Sequence, residues 1–152
     1  MNEFERLLAF LQIAYQNLTA LHRHLVDDAG WFENHKLIGE WYGDIADQLD
    51  DLTETGIALG YQDPSIKDAI LVFGGDLLSK ESRELKDTLR QSLVILRSVA
   101  GMMEVAKPIV PPSVASKLDE YIYHWNKEAN YQIAHALGNR PEQTPLVEDD
   151  ED

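Results

Sequence analysis

The sequence predicts an all-α protein: one four-helix bundle running up, down, down and up, with a short extra helix in the crossover between the second and third helices. Three observations carry this reading. Apolar residues recur at steps of three and four through four long segments. No segment alternates or is enriched in Val, Ile and Thr as a strand would be. Gly and Pro punctuate the segment ends.

The first helix spans Asn2 to about Val26, with Phe4, Leu7, Leu8, Leu11, Ala14, Tyr15, Leu18, Leu21 and Leu25 on one face, and Asp27-Asp28-Ala29-Gly30 breaks it. The second runs through Phe32, Ile38, Trp41, Tyr42, Ile45, Leu49 and Leu52 to about Leu59, where Gly60 to Pro64 stops it. A short amphipathic piece follows from Ser65 to Phe73. The third helix, from about Ser79 to Ala106, ends at Lys107-Pro108, and Met102 and Met103 fill gaps in its core or at a subunit contact. Pro111-Pro112 starts the fourth, which carries Leu118, Ile122, Trp125, Ala129 and Ile133 and stops at Gly138. Short links make the first and last pairs antiparallel. The link between the second and third helices, about 19 residues, can travel the length of a bundle about 40 Å long, so the third starts at the same end as the second.

Composition bounds the chemistry. At 152 residues, with 44% hydrophobic and 26% charged side chains, the chain has the make-up of one globular domain. We divide it into a bundle over 1–139 and an acidic tail over 140–152. Glu142 to Asp152 holds six acids and no base; removing these from the net charge of −14 leaves −8 for the rest. Such a balance disfavours binding to DNA, and the tail reads as a solvated end rather than a cation- or partner-binding one. With no Cys, any metal must use His, Asp and Glu. No apolar run reaches the roughly 18 residues that span a membrane, and the start lacks the order of a secretory signal, so a cytoplasmic protein is expected. No GxGxxG, P-loop, HExxH or Gly-x-Ser-x-Gly pattern occurs.

The second helix carries the most informative pattern. On a wheel of about 100° per residue with His35 at 0°, Ala46, Gly39, Asp50, Gly43 and Glu54 fall between about 20° and 100°. The large apolar residues lie elsewhere. His35 is about 22 Å from Asp50 along the axis, so one helix cannot unite them. A two-fold axis crossing two antiparallel copies near Gly43 could, because the midpoints of 35/50 and 35/54 are 42.5 and 44.5. Asp47 and Asp51 read as solvent-facing acids. Trp31 and Phe32 are expected to be buried, stapling the helix start or packing at the dimer contact. His124 and His135, about 16 Å apart, read as surface or interface residues.

These residues give the chain a resemblance to the Dps-type mini-ferritins of the ferritin-like superfamily, extending to Asn139. The family motif is a His near the end of the first helix, aromatics entering the second, then a His followed by Asp and Glu 15 and 19 residues later. Here these positions read His24, Trp31-Phe32, His35, Asp50 and Glu54, and Glu128 to Gly138 is similar to the family's last turns. The resemblance implies a ferritin-like bundle and an inter-subunit ferroxidase site, with His24 and His35 from one chain and Asp50 and Glu54 from its two-fold mate. It implies iron as substrate, oxidised from Fe(II) to Fe(III) by peroxide or dioxygen and stored, and a homo-oligomer, a dodecamer of about 210 kDa. Carboxylate oxygens and imidazole nitrogens suit both oxidation states. His22 competes with His24 for its role. Gly39 stands where many members carry Asp, so the alternative is a ferritin-like structural or interaction protein with a non-catalytic site. The Lys-rich arms with which some members bind DNA are absent from the sequence given.

Overall fold

A computed structural model describes residues 1–26 and 29–138, so the expected break at Asp27-Asp28 and the acidic tail lie outside the described residues. Helix α1 (Glu3–Arg23) begins with a reciprocal cap: the Glu5 N–H donates to Asn2 Oδ1 at 2.8 Å and the Asn2 N–H donates to Glu5 Oε1 at 2.8 Å. The other Glu5 oxygen accepts the Gln62 N–H at 2.6 Å, tying a distant loop to the same point. Helix α2 (Trp31–Ala58) ends where Gly60 takes φ +81. There the Gly60 N–H bonds Ile57 O and the Tyr61 N–H bonds Gly56 O, a Schellman closure that needs a residue without Cβ.

The crossover carries α3 (Ile66–Phe73), capped by Ser65 and Asp68 in the same reciprocal way as α1. Helix α4 (Leu85–Ala106) and helix α5 (Pro112–Lys127) complete the bundle. Beyond Lys127 the path continues through a π-helical stretch, Glu128–Ile133, and one last turn, Ala134–Ala136, before Gly138 at φ +75. Among the described residues all regular structure is helical, and the one β-like contact is an isolated bridge between Leu25 and Arg83.

That bridge corrects two expected boundaries. The first helix stops at Arg23 instead of reaching Val26, and the third begins at Leu85 instead of Ser79. Backbone bonds from Val26 N to Arg83 O (2.9 Å) and from Arg83 N to His24 O (3.0 Å) satisfy these groups outside a helix. The nearly buried Arg83 donates back to the Ser79 and Glu81 carbonyls.

Helix α1 packs against α2, α3 and α4, and α4 packs against α5. The pairs are antiparallel where contacts fix them. His22 meets His35 at one end of α1 and α2, and Phe4 meets Gly56 at the other. Arg97 of α4 bonds Asn130 just beyond α5, and Lys107, just beyond α4, bonds Asp119 of α5. The core contains Phe4, Leu7, Leu11, Leu18, Ile38, Trp41, Ile45, Leu96, Leu118 and Trp125, all with almost no exposure. Met103 belongs to it and Met102 packs against it.

Candidate functional site

The site starts from two imidazoles at one end of the α1/α2 pair. The rings of His22 and His35 are stacked, with centroids 3.6 Å apart and planes inclined by 21°. His22 Nδ1 lies 2.7 Å from His35 O, and His35 Nδ1 lies 3.0 Å from His22 O. A carbonyl oxygen only accepts, so both Nδ1 atoms carry the proton, and Nε2 is the lone-pair nitrogen of each neutral ring. Burial is the main influence lowering the His22 pKa from its ordinary value; the bond to His35 works against it, and the neighbouring His35 and Arg23 add to the lowering.

Aromatic neighbours fix this pair. Trp31 stacks on the other side of His35 at 4.4 Å, and its indole N–H donates to Leu25 O at 3.2 Å. Tyr42 sets its ring against His22, and Tyr15 sets its own against Tyr42. Gly39 makes the arrangement possible: a Cβ there would stand 3.1 Å from His22 Cε1. The space beside Gly39 is thus filled, from the side, by an imidazole.

The carboxylates lie further along α2. Asp50 and Glu54 are exposed and without a partner among the described residues. Asp50 lines an open groove of about 540 Å³ with Gln12, Tyr15, Ala46, Leu49 and Thr53. The far wall, Asp63 to Ile66, is held by a 2.7 Å bond from Gln12 Nε2 to Pro64 O. His24 follows the last turn of α1 and does not touch His35; its backbone carbonyl accepts the Arg83 N–H. Of the four sequence-predicted residues, then, Asp50 and Glu54 share a face of α2 one turn apart, the single chain does not unite them with the imidazoles, and His22 is the imidazole placed against His35. Among the described residues no three His, Asp or Glu side chains gather closely enough to hold a metal ion.

No protein-family model matches this chain, and no curated protein matches it significantly.

Two further expectations meet the structure differently. Trp31 is half-buried, but Phe32 is 71% exposed among the described residues. Asp47 is exposed as expected, whereas Asp51 accepts the Tyr121 hydroxyl at 2.6 Å. That bond belongs to a seam, missed by the sequence reading, between α2 and α5 with the first residue of the π-helical stretch that follows it. Trp41 donates to Glu128 at 3.0 Å, His124 lies 3.1 Å from Asp44, and Trp125 donates to Gln48 at 2.7 Å. The seam is legible only as a pattern of four α2 residues, 41, 44, 48 and 51, at helical steps with polar atoms or an indole N–H. Burial and the acceptor Asp51 push the Tyr121 phenol well above its usual pKa.

Proposed function

We propose that this protein is a Dps-like iron-oxidising and iron-storing mini-ferritin whose ligands are completed only between two copies. The reading includes ferritin-like connectivity. Antiparallel α1/α2 and α4/α5, with α4 beginning beside the end of α1, correspond to helices running up, down, down and up. The observation that carries the reading is the reciprocal imidazole pair. It leaves two Nε2 lone pairs at one end of α2 and two unpaired carboxylates, Asp50 and Glu54, 15 and 19 residues further along. Antiparallel pairing of two α2 helices unites the two ends. His35 supplies one ligand, with Asp50 and Glu54 of the second copy. The structure favours His22 over His24 as the additional imidazole, because it is the one held against His35. Bound Fe(II) gives its electron to peroxide or dioxygen, and the carboxylates favour the Fe(III) that forms.

Gly39 supports a second reading, a ferritin-like structural protein without efficient oxidation. The His22 ring occupies the space beside this position, and no carboxylate replaces the usual Asp. Anaerobic Fe(II) addition followed by peroxide or air separates the two. Wild type should oxidise iron faster than His35→Ala and Asp50→Ala; identical time courses for all three proteins would leave only the structural reading. His22→Ala and His24→Ala, compared in the same assay, assign the second imidazole.

A further inference from the structure

We propose that α2 is the surface on which two copies of this chain meet, with Phe32 of each seated against Ile57 of the other and Lys36 of each paired with Glu54 of the other. This rests on the two-fold pairing in the reading above and adds the contacts that hold it without metal.

The exposed side chains of α2 set the register. Phe32 and Ile57 are 71% and 58% exposed and lie near the two ends of α2. With His35 at 0°, Ile57, Phe32, Gly43, Lys36 and Glu54 fall at about 40°, 60°, 80°, 100° and 100°, a single stripe opposite the buried face. When a two-fold axis relates antiparallel helices, each residue faces the one at the same angle and the mirrored height. The midpoint of 32 and 57 is 44.5 and that of 36 and 54 is 45. An apolar pair and an ionic pair therefore select the same centre. Gly43 lies beside that centre, and nothing stands within 4 Å of a Cβ built on it, so the backbones have room to approach.

Charge complementarity fits the same register. Helix α2 carries seven acids, Glu33, Glu40, Asp44, Asp47, Asp50, Asp51 and Glu54, and one lysine. Lys36 is exposed and makes no ion pair with any described residue. The antiparallel register centred at 45 brings each Lys36 to the height of Glu54 of the second copy, on the same face of the helix. The Phe32–Ile57 contacts then lie about one turn outside each His35/Glu54 position and close its outer end against water. Lys36 holds Glu54 until a metal cation displaces it.

The chain has no cysteine, so Gly43→Cys introduces a single thiol. In chelator-containing buffer the full-length Gly43→Cys protein should convert mostly to a covalent dimer on mild oxidation, while Val105→Cys, at an exposed position on α4, should not. By sedimentation, Phe32→Asp and Lys36→Glu should each raise the dimer dissociation constant at least tenfold. Lys36→Glu combined with Glu54→Lys should restore association, and circular dichroism should report unchanged helix content in every variant. If wild type associates but Gly43→Cys fails to cross-link, or the charge swap fails to rescue, this surface is overturned, whatever the iron assay shows. Cross-linking and rescue without iron oxidation sustain the surface and overturn the ferroxidase reading. A wild type that is monomeric at every concentration overturns both.

Discussion

Gly39→Ala sets two effects against each other on a single methyl group. Glycine inside a helix costs about 1 kcal/mol relative to alanine. At an open helical position such as Gly101, where a Cβ meets nothing within 4 Å, the substitution should therefore stabilise by up to that amount. At Gly39 the added carbon stands 3.1 Å from His22 Cε1. The ring cannot retreat freely: its Nδ1 is bonded to His35 O at 2.7 Å, it lies 3.6 Å from the His35 ring, and Tyr42 sets its own ring against it. Overpacking of this kind costs about 1–3 kcal/mol, which outweighs the gain in propensity. We expect Gly39→Ala to be destabilising by about 1 kcal/mol and to differ from Gly101→Ala by about 2 kcal/mol, several degrees in Tm for a chain of this length. Urea unfolding at one fixed protein concentration measures both. His22→Ala removes the obstruction, so Gly39→Ala made in that background should stabilise, a coupling of about 2 kcal/mol. If Gly39→Ala stabilises as much as Gly101→Ala and does not respond to the loss of His22, the imidazole does not pack where this reasoning needs it.

Trp125→Phe should cost about 2–3 kcal/mol in urea unfolding, since it opens a void in the core and strips the buried Gln48 oxygen of its donor. The Glu5 carboxyl is held below its ordinary pKa by the Asn2 and Gln62 N–H groups. Its stabilisation is present above the unfolded value, about 4.3, and lost as pH falls through the folded one, so wild type should lose more stability than Glu5→Gln between about pH 5 and pH 3. Tyr121 behaves oppositely: with a raised pKa, its contribution is intact below about pH 10 and lost in stronger alkali. In an absorbance titration one of the six tyrosines should resist ionisation, and Tyr121→Phe should abolish that late step. His22 has a lowered pKa, so below about pH 6.5 the unfolded chain takes up this proton first and stability falls with pH. The urea midpoint of wild type should drop between about pH 7.5 and pH 5 by more than that of His22→Gln.

Long helical periods were readable because they are one-dimensional. Residues 31–58 show the apolar step of three and four throughout, and the structure makes them one helix. The boundaries at Arg23 and Leu85 were not readable, because the Leu25–Arg83 bridge joins segments about 58 residues apart, and nothing local announces it. The resemblance put His24 beside His35, with His22 as its competitor, and the same event bears on that choice. In a helix continued to Val26, His24 remains on a helical face, but a helix that stops at Arg23 leaves it on the turn. The register between α1 and α2 would have decided the matter. Tyr15 meets Tyr42 and His22 meets His35, pairs whose numbers both sum to 57. An antiparallel pair aligned on its tyrosines thus brings position 22, not 24, to position 35. Phe32 marks the limit of such arithmetic within one chain. Its place on the stripe was readable, but the sequence left open whether its cover lies at the helix start or at a dimer contact. Its exposure in the single chain removes the first of these, and with Ile57 at the mirrored height the second becomes the register argument for a second copy.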